Sequence, residues 1–355
     1  MAPIRVLVVE DSPTVRDYLC GVLRGDPGIE VAGVAEDGRR AFALCRELRP
    51  DVVTMDMMLP VMTGLAATEH IMAYCPTPIL VVSASFNRGE VFNTYDALAA
   101  GAVDVLEKPT GGEPEGEWEH RFLDAVKLVS RIRVITHLKG RVRASPTPGA
   151  ARSVDADLSQ GPPLRVVAIG ASTGGPGAAV EVFRSLPADL HVPILFVLHI
   201  NAMFGYAFAD WLNTQTPWPT RFPRNGEALN DAVGAILLAP PGRHMLVRDG
   251  RVWLDDGPER HSCRPSVDVL FESIAADCGG AAAAALLTGM GRDGAGGLLA
   301  LRLAGGVTIA QDEATSVVYG MPREAVNFGA ASRVLPLQDI GPVLSAIIRT
   351  RGSAV

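Results

Sequence analysis

The sequence predicts an α/β chain of two domains, each built on a parallel sheet. Three observations carry this. Short, nearly continuous apolar runs alternate with segments of helical spacing in both halves, the pattern of strands buried on both faces and joined by helices. The series is interrupted once, over 139–163 (KGRVRASPTPGAARSVDADLSQGPP), by a Pro-, Ala-, Ser- and Gly-rich stretch with no apolar period. The length of 355 residues also exceeds the roughly 200–250 that one core usually serves.

In the first half, RVLVVE (5–10), EVAGVAE (30–36), DVVTMD (51–56), ILVVSAS (79–85) and VDVLEK (103–108) read as strands. Between the first two, Thr14–Arg24 sets Val15, Leu19, Val22 and Leu23 on one stripe of a helix. Five such βα units imply a doubly wound (βα)5 sheet. A further helix is expected from Trp118 to Leu138. After the linker, strands are expected at VVAIGAS (166–172), PILFVLHI (193–200), AILLAP (235–240), AAAALLTGM (282–290), VTIAQDE (307–313) and RVLPL (333–337). HMLVRDGRVWLDD (244–256) reads as a β-hairpin turning at Asp249-Gly250, a favoured two-residue turn.

A hydrophobic content of 48% suffices for two cores. The net charge of −7 weighs against nucleic acid as a partner, because a phosphate backbone is bound by clustered Lys and Arg. Cys20, Cys45, Cys75, Cys263 and Cys278 are odd in number, scattered and without a CxxC, and read as reduced thiols of a cytoplasmic protein. MAPIRVLVVEDS lacks the apolar core of a secretory signal. The longest apolar stretch, Ala281–Met290, is too short for the ~20 residues of a membrane span and reads as a buried strand.

The notable polar residues of the first half stand where strands end: Glu10 and Asp11 after the first, Asp56 after the third, Ser83 in the fourth and Lys108 after the fifth. The carboxyl ends of parallel strands form the binding crevice of such sheets. Three carboxylates converging there repel one another unless a cation joins them, and hard oxygen ligands suit Mg²⁺. A carboxylate is also a nucleophile that forms an aspartyl phosphate, whose oxygens Lys108 and the Ser83 hydroxyl can hold. Taken singly, Glu10 and Asp11 read equally well as helix-capping acids and Asp56 as a loop acid. The set of five on these strands points to phosphoryl acceptance.

Over residues 4 to about 125 the chain resembles the response-regulator receiver family, through VVEDS, TMDMMLPVMTG, VVSAS and LEKPT. The resemblance implies a flavodoxin-like receiver domain over 1–125, phosphorylated on Asp56. It implies Glu10 and Asp11 as Mg²⁺ ligands with Asp56, and Ser83 and Lys108 as readers of the phosphate. Receivers often carry an aromatic three residues before the lysine, where this chain has Val105.

In the second half, Gly170-Ala-Ser172-Thr-Gly174-Gly175 follows an apolar strand and opens a helix. GxSxG at a strand-to-helix turn is the nucleophile-elbow pattern, though the same residues could form a phosphate-binding loop or a plain Gly-rich turn. His199 ends the next strand, and Asp293 lies in LTGMGRDG just past the Ala-rich strand. A base must reach the serine and an acid the base, and strand ends of one sheet can bring them together. His70, His120, His137, His191, His244 and His261 have weaker contexts, and neither HExxH nor a Cys/His cluster points to a metallohydrolase. The order Ser172, His199, Asp293 differs from the orders of α/β-hydrolases, chymotrypsin and subtilisin.

That order, with AIGASTGGP, LAPPGRHM, RPSVDVLF and LLTGMGRDGAGGL, resembles the catalytic domain of CheB-type protein-glutamate methylesterases over about 164–350, leaving 126–163 as helix and linker. The resemblance implies an esterase domain that hydrolyses γ-glutamyl methyl esters of methyl-accepting chemotaxis receptors to glutamate and methanol, with deamidation of certain glutamines. It implies Ser172 as nucleophile, His199 as general base, Asp293 as its orienter and backbone N–H groups at Met290 and Thr173 for the oxyanion. It also implies a chemotaxis histidine kinase as phosphodonor, no cofactor for ester hydrolysis, and membrane contact only through receptors. The family often reads Gln-His-Met-Pro where this chain has Leu198-His199-Ile200-Asn201. A different class of function, an adaptor whose esterase fold only binds receptors or a kinase, is opposed by the intact Ser172, His199 and Asp293.

Overall fold

The apolar runs of the first half form β1 (Ile4–Val9), β2 (Ile29–Ala35), β3 (Val52–Met55), β4 (Ile79–Ser83) and β5 (Asp104–Glu107). Between and after them run α1 (Pro13–Arg24), α2 (Gly38–Leu48), α3 (Gly64–Tyr74), α4 (Arg88–Ala99) and α5 (Glu117–Val129). In this computed structural model the described residues are 2–84, 88–109, 111–112, 114, 116–132, 134, 161–187, 189–200 and 202–351. The chain divides into two compact units, Met1–Ser145 and Pro146–Val355.

The first unit carries a parallel sheet in the order β2-β1-β3-β4-β5. Every residue of β3 and β4 is buried, which is why these segments read as unbroken apolar runs rather than alternating ones. Order reverses at β1, whose neighbours are β2 and β3, so the crevice opens at the carboxyl ends of β1 and β3. The helix expected from Trp118 to Leu138 is shorter and ends at Val129, capped by Ser130. Past it the sequence turns to Val134-Ile135-Thr136, a β-branched run that sustains a helix poorly. Residues beyond 134 in that helix, and 139–160 of the expected linker, lie outside the described residues. The linker's last residues, 161–163, are tied down: the Arg351 guanidinium donates to the Pro162 carbonyl at 2.9 Å.

The second unit contains β6 (Val166–Ala171), α6 (Gly175–Arg184), β7 (Ile194–Leu198), α7 (Ala202–Gln215), β8 (Thr220–Arg221), β9 (Glu227–Ala228) and β10 (Ile236–Leu238). It continues with β11 (His244–Arg248), β12 (Arg251–Asp255), α8 (Val267–Asp277), β13 (Ala282–Leu286), α9 (Ala295–Leu303), β14 (Val307–Gln311), α10 (Met321–Asn327), β15 (Arg333–Leu335) and α11 (Leu337–Arg351). Its main sheet is parallel, in the order β15-β14-β13-β6-β7-β10-β8. The expected hairpin is β11–β12, with Asp249 and Gly250 at φ 52° and 66° as a tight turn requires, and β9 extends it to three strands. β8 and β9 have two residues each, too few to show a period. Among the described residues, no helix is long and apolar enough to cross a membrane.

Two features aim this unit's strand ends at one place. β6 lies between β7 and β13, so the chain switches direction across the sheet at β6. Helices α8 and α9 cross closely because Gly297 has no side chain: a Cβ there would sit 2.7 Å from Phe271 Cβ and 2.8 Å from the Asp268 carbonyl oxygen. That close crossing brings the loop before α9 against the start of α8.

Candidate active site and acidic pocket

In the first unit, the turn after β1 presents Glu10, buried, and Asp11, exposed, beside the buried Asp56 after β3. One carboxylate oxygen from each of the three lies within 4.8 Å of the others. Lys108 leaves β5 beside β4, its N–H bonded to the Ser83 carbonyl, and reaches Glu10 Oε2 at 2.7 Å and Asp56 Oδ2 at 3.0 Å. Burial, only partly offset by Lys108, raises the Glu10 carboxyl above its ordinary range. Burial lowers the Lys108 ammonium, but Asp56 and Glu10 outweigh it and hold the group charged. Ser83 Oγ is buried and has no hydrogen-bond partner among the described residues. A buried hydroxyl without a partner is costly.

The second site is built where β6, β7 and β13 end. Ser172 follows β6 and His199 follows β7, and these strands pair in register through Ala171 and Leu198, with the His199 N–H bonded to the Ala171 carbonyl at 3.0 Å. Adjacent strands lie about 4.8 Å apart, so the serine and histidine leave the sheet side by side. Gly170 is bare because α8 lies on it: a Cβ would meet Val267 Cγ1 at 2.3 Å. Gly174 takes φ +77°, the left-handed turn that starts α6 directly behind the serine.

His199 is bound on both sides. Its Nε2 meets Asp293 Oδ2 at 2.9 Å, and its Nδ1 faces Cys263 Sγ at 3.8 Å. Asp293, only 2% exposed, is held by the start of α8: Ser266 Oγ donates at 2.7 Å, Val267 N at 2.7 Å and Asp268 N at 3.1 Å. Burial pushes Asp293 up, but His199 and these donors, at the positive end of a helix, outweigh it and hold the carboxyl below its usual range. Burial also pulls the His199 imidazolium down, yet the hydrogen bonds to Asp293 and Cys263 prevail and raise it to about 9. No hydrogen bond joins Ser172 to His199 among the described residues. Nε2 is engaged by Asp293, and Nδ1 makes the longer contact of 3.8 Å with Cys263 Sγ.

Beyond β13, Gly289 presses against the serine, for a Cβ there would lie 2.8 Å from Ser172 Cβ. Met290, exposed, is the next residue of this turn. Neither the Thr173 nor the Met290 backbone N–H has a partner among the described residues. Thr288 locks the turn: its carbonyl accepts from Ser172 N at 3.0 Å, its hydroxyl donates to the Thr173 carbonyl at 3.0 Å, and its N–H donates to Gln311 Oε1 at 2.8 Å.

A family model described as CheB methylesterase matches residues 167–344, and one described as response regulator receiver domain matches 6–114. The protein-glutamate methylesterase/protein-glutamine glutaminase 2 of Anaeromyxobacter dehalogenans is 44% identical over 348 residues, which is 98% of this chain and 98% of the relative. The chain belongs to the CheB methylesterase family. A Nitrosospira multiformis protein-glutamate methylesterase/protein-glutamine glutaminase is 43% identical, covering 98% of both chains. The CheB methylesterase catalytic domain of Thermotoga maritima covers 52% of this chain and 98% of its own at 31% identity, with a TM-score of 0.49. The receiver domain of the same organism's CheB covers 37% of this chain and 98% of its own at 34% identity, with a TM-score of 0.34.

In this CheB-family chain, Glu10, Asp11, Asp56 and Lys108 come together in the first unit, and His199 and Asp293 in the second, with Ser172 on the strand end beside His199. His244 and His261, given weak contexts by sequence, are wired to the second. His244 Nδ1 accepts from Ser266 N at 3.1 Å while its Nε2 donates to the Pro258 carbonyl at 3.0 Å, which fixes the loop that caps α8. His261 Nε2 contacts Asp268 Oδ2 at 3.1 Å. Ser266 and Cys263 were missed as site residues. Asn201, two residues after His199, lies outside the described residues.

The raised His199 pKa sets an expected pH profile. Only the neutral imidazole accepts a proton, and its fraction grows as pH rises through the pKa. The rate constant kcat/KM for ester hydrolysis should therefore climb towards a pKa of about 9, not level off near the histidine reference of about 6.5. A profile already flat above about pH 7 would contradict a base with this environment.

Proposed function

We propose that this chain is a phosphorylation-controlled protein-glutamate methylesterase, with residues 1–125 as receiver and 164–350 as catalytic domain. The substrates are γ-glutamyl methyl esters of chemoreceptors, and receptor glutamines are deamidated at the same site. The observation that carries the reading is the Asp293–His199 pair standing in register beside Ser172 on adjacent strand ends.

In the reaction, Ser172 Oγ attacks the ester carbonyl as His199 Nδ1 takes its proton. Asp293 holds the ring by Nε2 and stabilises the imidazolium. The carbonyl oxygen becomes an oxyanion facing the N–H groups of Thr173 and Met290. The imidazolium then returns the proton to the departing methoxide, methanol leaves, and an acyl-enzyme remains. Water, deprotonated by the same nitrogen, attacks that ester and releases glutamate and Ser172. With a glutamine the leaving group is ammonia.

In the receiver, Asp56 is the phosphoacceptor, and the donor is a chemotaxis histidine kinase. Glu10, Asp11 and Asp56 offer the hard oxygen set that Mg²⁺ takes, and the ion would offset charge on the phosphoryl group. Ser83 Oγ, buried and without a partner among the described residues, and Lys108, already poised between Glu10 and Asp56, would receive the phosphoryl oxygens.

Methanol release from methylated receptor, with and without a small-molecule phosphodonor, tests the whole reading. A fragment of residues 158–355 separates the modes of control. If the unphosphorylated receiver inhibits, the fragment should outpace the unphosphorylated full chain, and phosphodonor should accelerate only the full chain. If phosphorylation also activates, the phosphorylated full chain should exceed the fragment. Equal rates in all three preparations would remove the control element and leave the esterase.

A further inference from the structure

We propose that His199 and Cys263 form a binding site for a thiolate-seeking divalent cation, Zn²⁺ in the first instance, whose occupancy shuts the esterase. The shut-off rests on the function proposed above, while the binding site stands on geometry alone.

His199 Nδ1 and Cys263 Sγ are 3.8 Å apart. A tetrahedral zinc with Zn–N of about 2.0–2.1 Å and Zn–S of about 2.3 Å holds its nitrogen and sulfur about 3.6 Å apart. The two ligand atoms thus already stand near the edge length of a zinc tetrahedron. On the far side of the ring, Nε2 is engaged by Asp293, the carboxylate–histidine arrangement that fixes the tautomer of metal-binding imidazoles. One ligand atom each from His199, Cys263 and Asp293 lies within 4.8 Å of the others. The remaining positions would fall to solvent, since neither His199 nor Cys263 is fully buried.

Cys263 is delivered by a built turn. Arg260 and Cys263 exchange two backbone hydrogen bonds, at 3.1 and 2.9 Å, around His261 and Ser262. Both of those residues take left-handed φ, 52° and 60°, which side chains other than glycine rarely adopt. The turn is held in that shape by His261, bonded to Asp268 on one nitrogen and to Arg292 on the other. Arg260, in the same turn, is bonded to Glu272 through both terminal nitrogens.

The two sites sort cations by softness. The all-oxygen set of Glu10, Asp11 and Asp56 suits Mg²⁺, whereas a thiolate with an imidazole suits zinc. On binding, the thiol S–H proton is released to solvent as the sulfur–metal bond forms. Nδ1, the nitrogen left for the Ser172 proton, becomes a metal ligand and cannot act as base. Two protein ligands make this a reversible control and not a structural zinc site.

The test uses the full chain in excess Mg²⁺, so that the acidic pocket is saturated. Zn²⁺ is titrated against methanol release from methylated receptor. The wild type should be inhibited and a chelator should restore it fully. Cys263→Ser, its rate read against its own zinc-free rate, should need at least about tenfold more zinc for half-inhibition. Cys263→Ala serves equally should the serine variant misfold. Co²⁺ titration should give a thiolate-to-cobalt charge-transfer band in the wild type that Cys263→Ser loses. Equal zinc sensitivity of wild type and variant, or a cobalt band unchanged by the substitution, overturns the proposal. If no preparation releases methanol, the esterase reading falls, and the cobalt band still decides the site.

Discussion

Ser172→Ala should lower receptor-ester hydrolysis by about 10³-fold or more while leaving the protein folded. The loss is large because a covalent route loses its only attacking atom, and the oxyanion donors can supply only the residual rate. The fold is spared because the position's structural work is done by its backbone. Ser172 N donates to the Thr288 carbonyl, the Ser172 carbonyl accepts from Gly175 N, and both bonds survive a change to alanine. Alanine also adds no volume where a Cβ on Gly289 would already come within 2.8 Å of Ser172 Cβ. Methanol release and the thermal midpoint, measured on one preparation, separate the two effects. Turnover near the wild-type value would remove Ser172 as nucleophile. A collapse of the midpoint would mean that lost activity said nothing about chemistry.

What the sequence disclosed of this site follows from how parallel sheets work. Functional side chains sit at carboxyl strand ends, so a polar residue closing an apolar run is visible in one dimension. Glu10, Asp56, Lys108, Ser172 and His199 all have that form. Asp293 was visible through its Gly-rich surroundings. The support around Asp293 was not visible, because it is made by tertiary contact. Ser266 reads locally as a helix N-cap before an apolar run, and it does accept from Val269 N at 3.4 Å. Its hydroxyl donates to Asp293, 27 positions away, and nothing in the local pattern foretells that bond. Cys263 is likewise 64 positions from His199, so a search for neighbouring Cys and His residues passes over it. The same limit explains β8 and β9, which exist because an edge was available to pair with, not because two residues show a period. The end of α5 was misplaced for the opposite reason: apolar residues continued past the point where the helix stops.

Asp56→Asn should abolish phosphoryl uptake from a small-molecule phosphodonor and, with it, any acceleration of ester hydrolysis by that donor. The argument is one of atoms. A carboxylate oxygen attacks phosphorus, the bond from phosphorus to the donor's leaving oxygen breaks, and an acyl phosphate remains. An amide of nearly the same shape has no such nucleophile. It also lacks the negative charge that draws the Lys108 ammonium to 3.0 Å and completes the oxygen set with Glu10 and Asp11. Chelation of Mg²⁺ should give the same loss in the wild type, because the crowded carboxylates would then face an incoming anion without a counter-charge. Basal hydrolysis by Asp56→Asn should equal that of the unphosphorylated wild type, since Asp56 belongs to the first unit and takes no part in the ester reaction. Labelled phosphodonor read against methanol release distinguishes the outcomes. Label retained by Asp56→Asn would place the acceptor on another residue. Loss of label with undiminished acceleration would mean that the donor acts on the esterase without passing through the receiver.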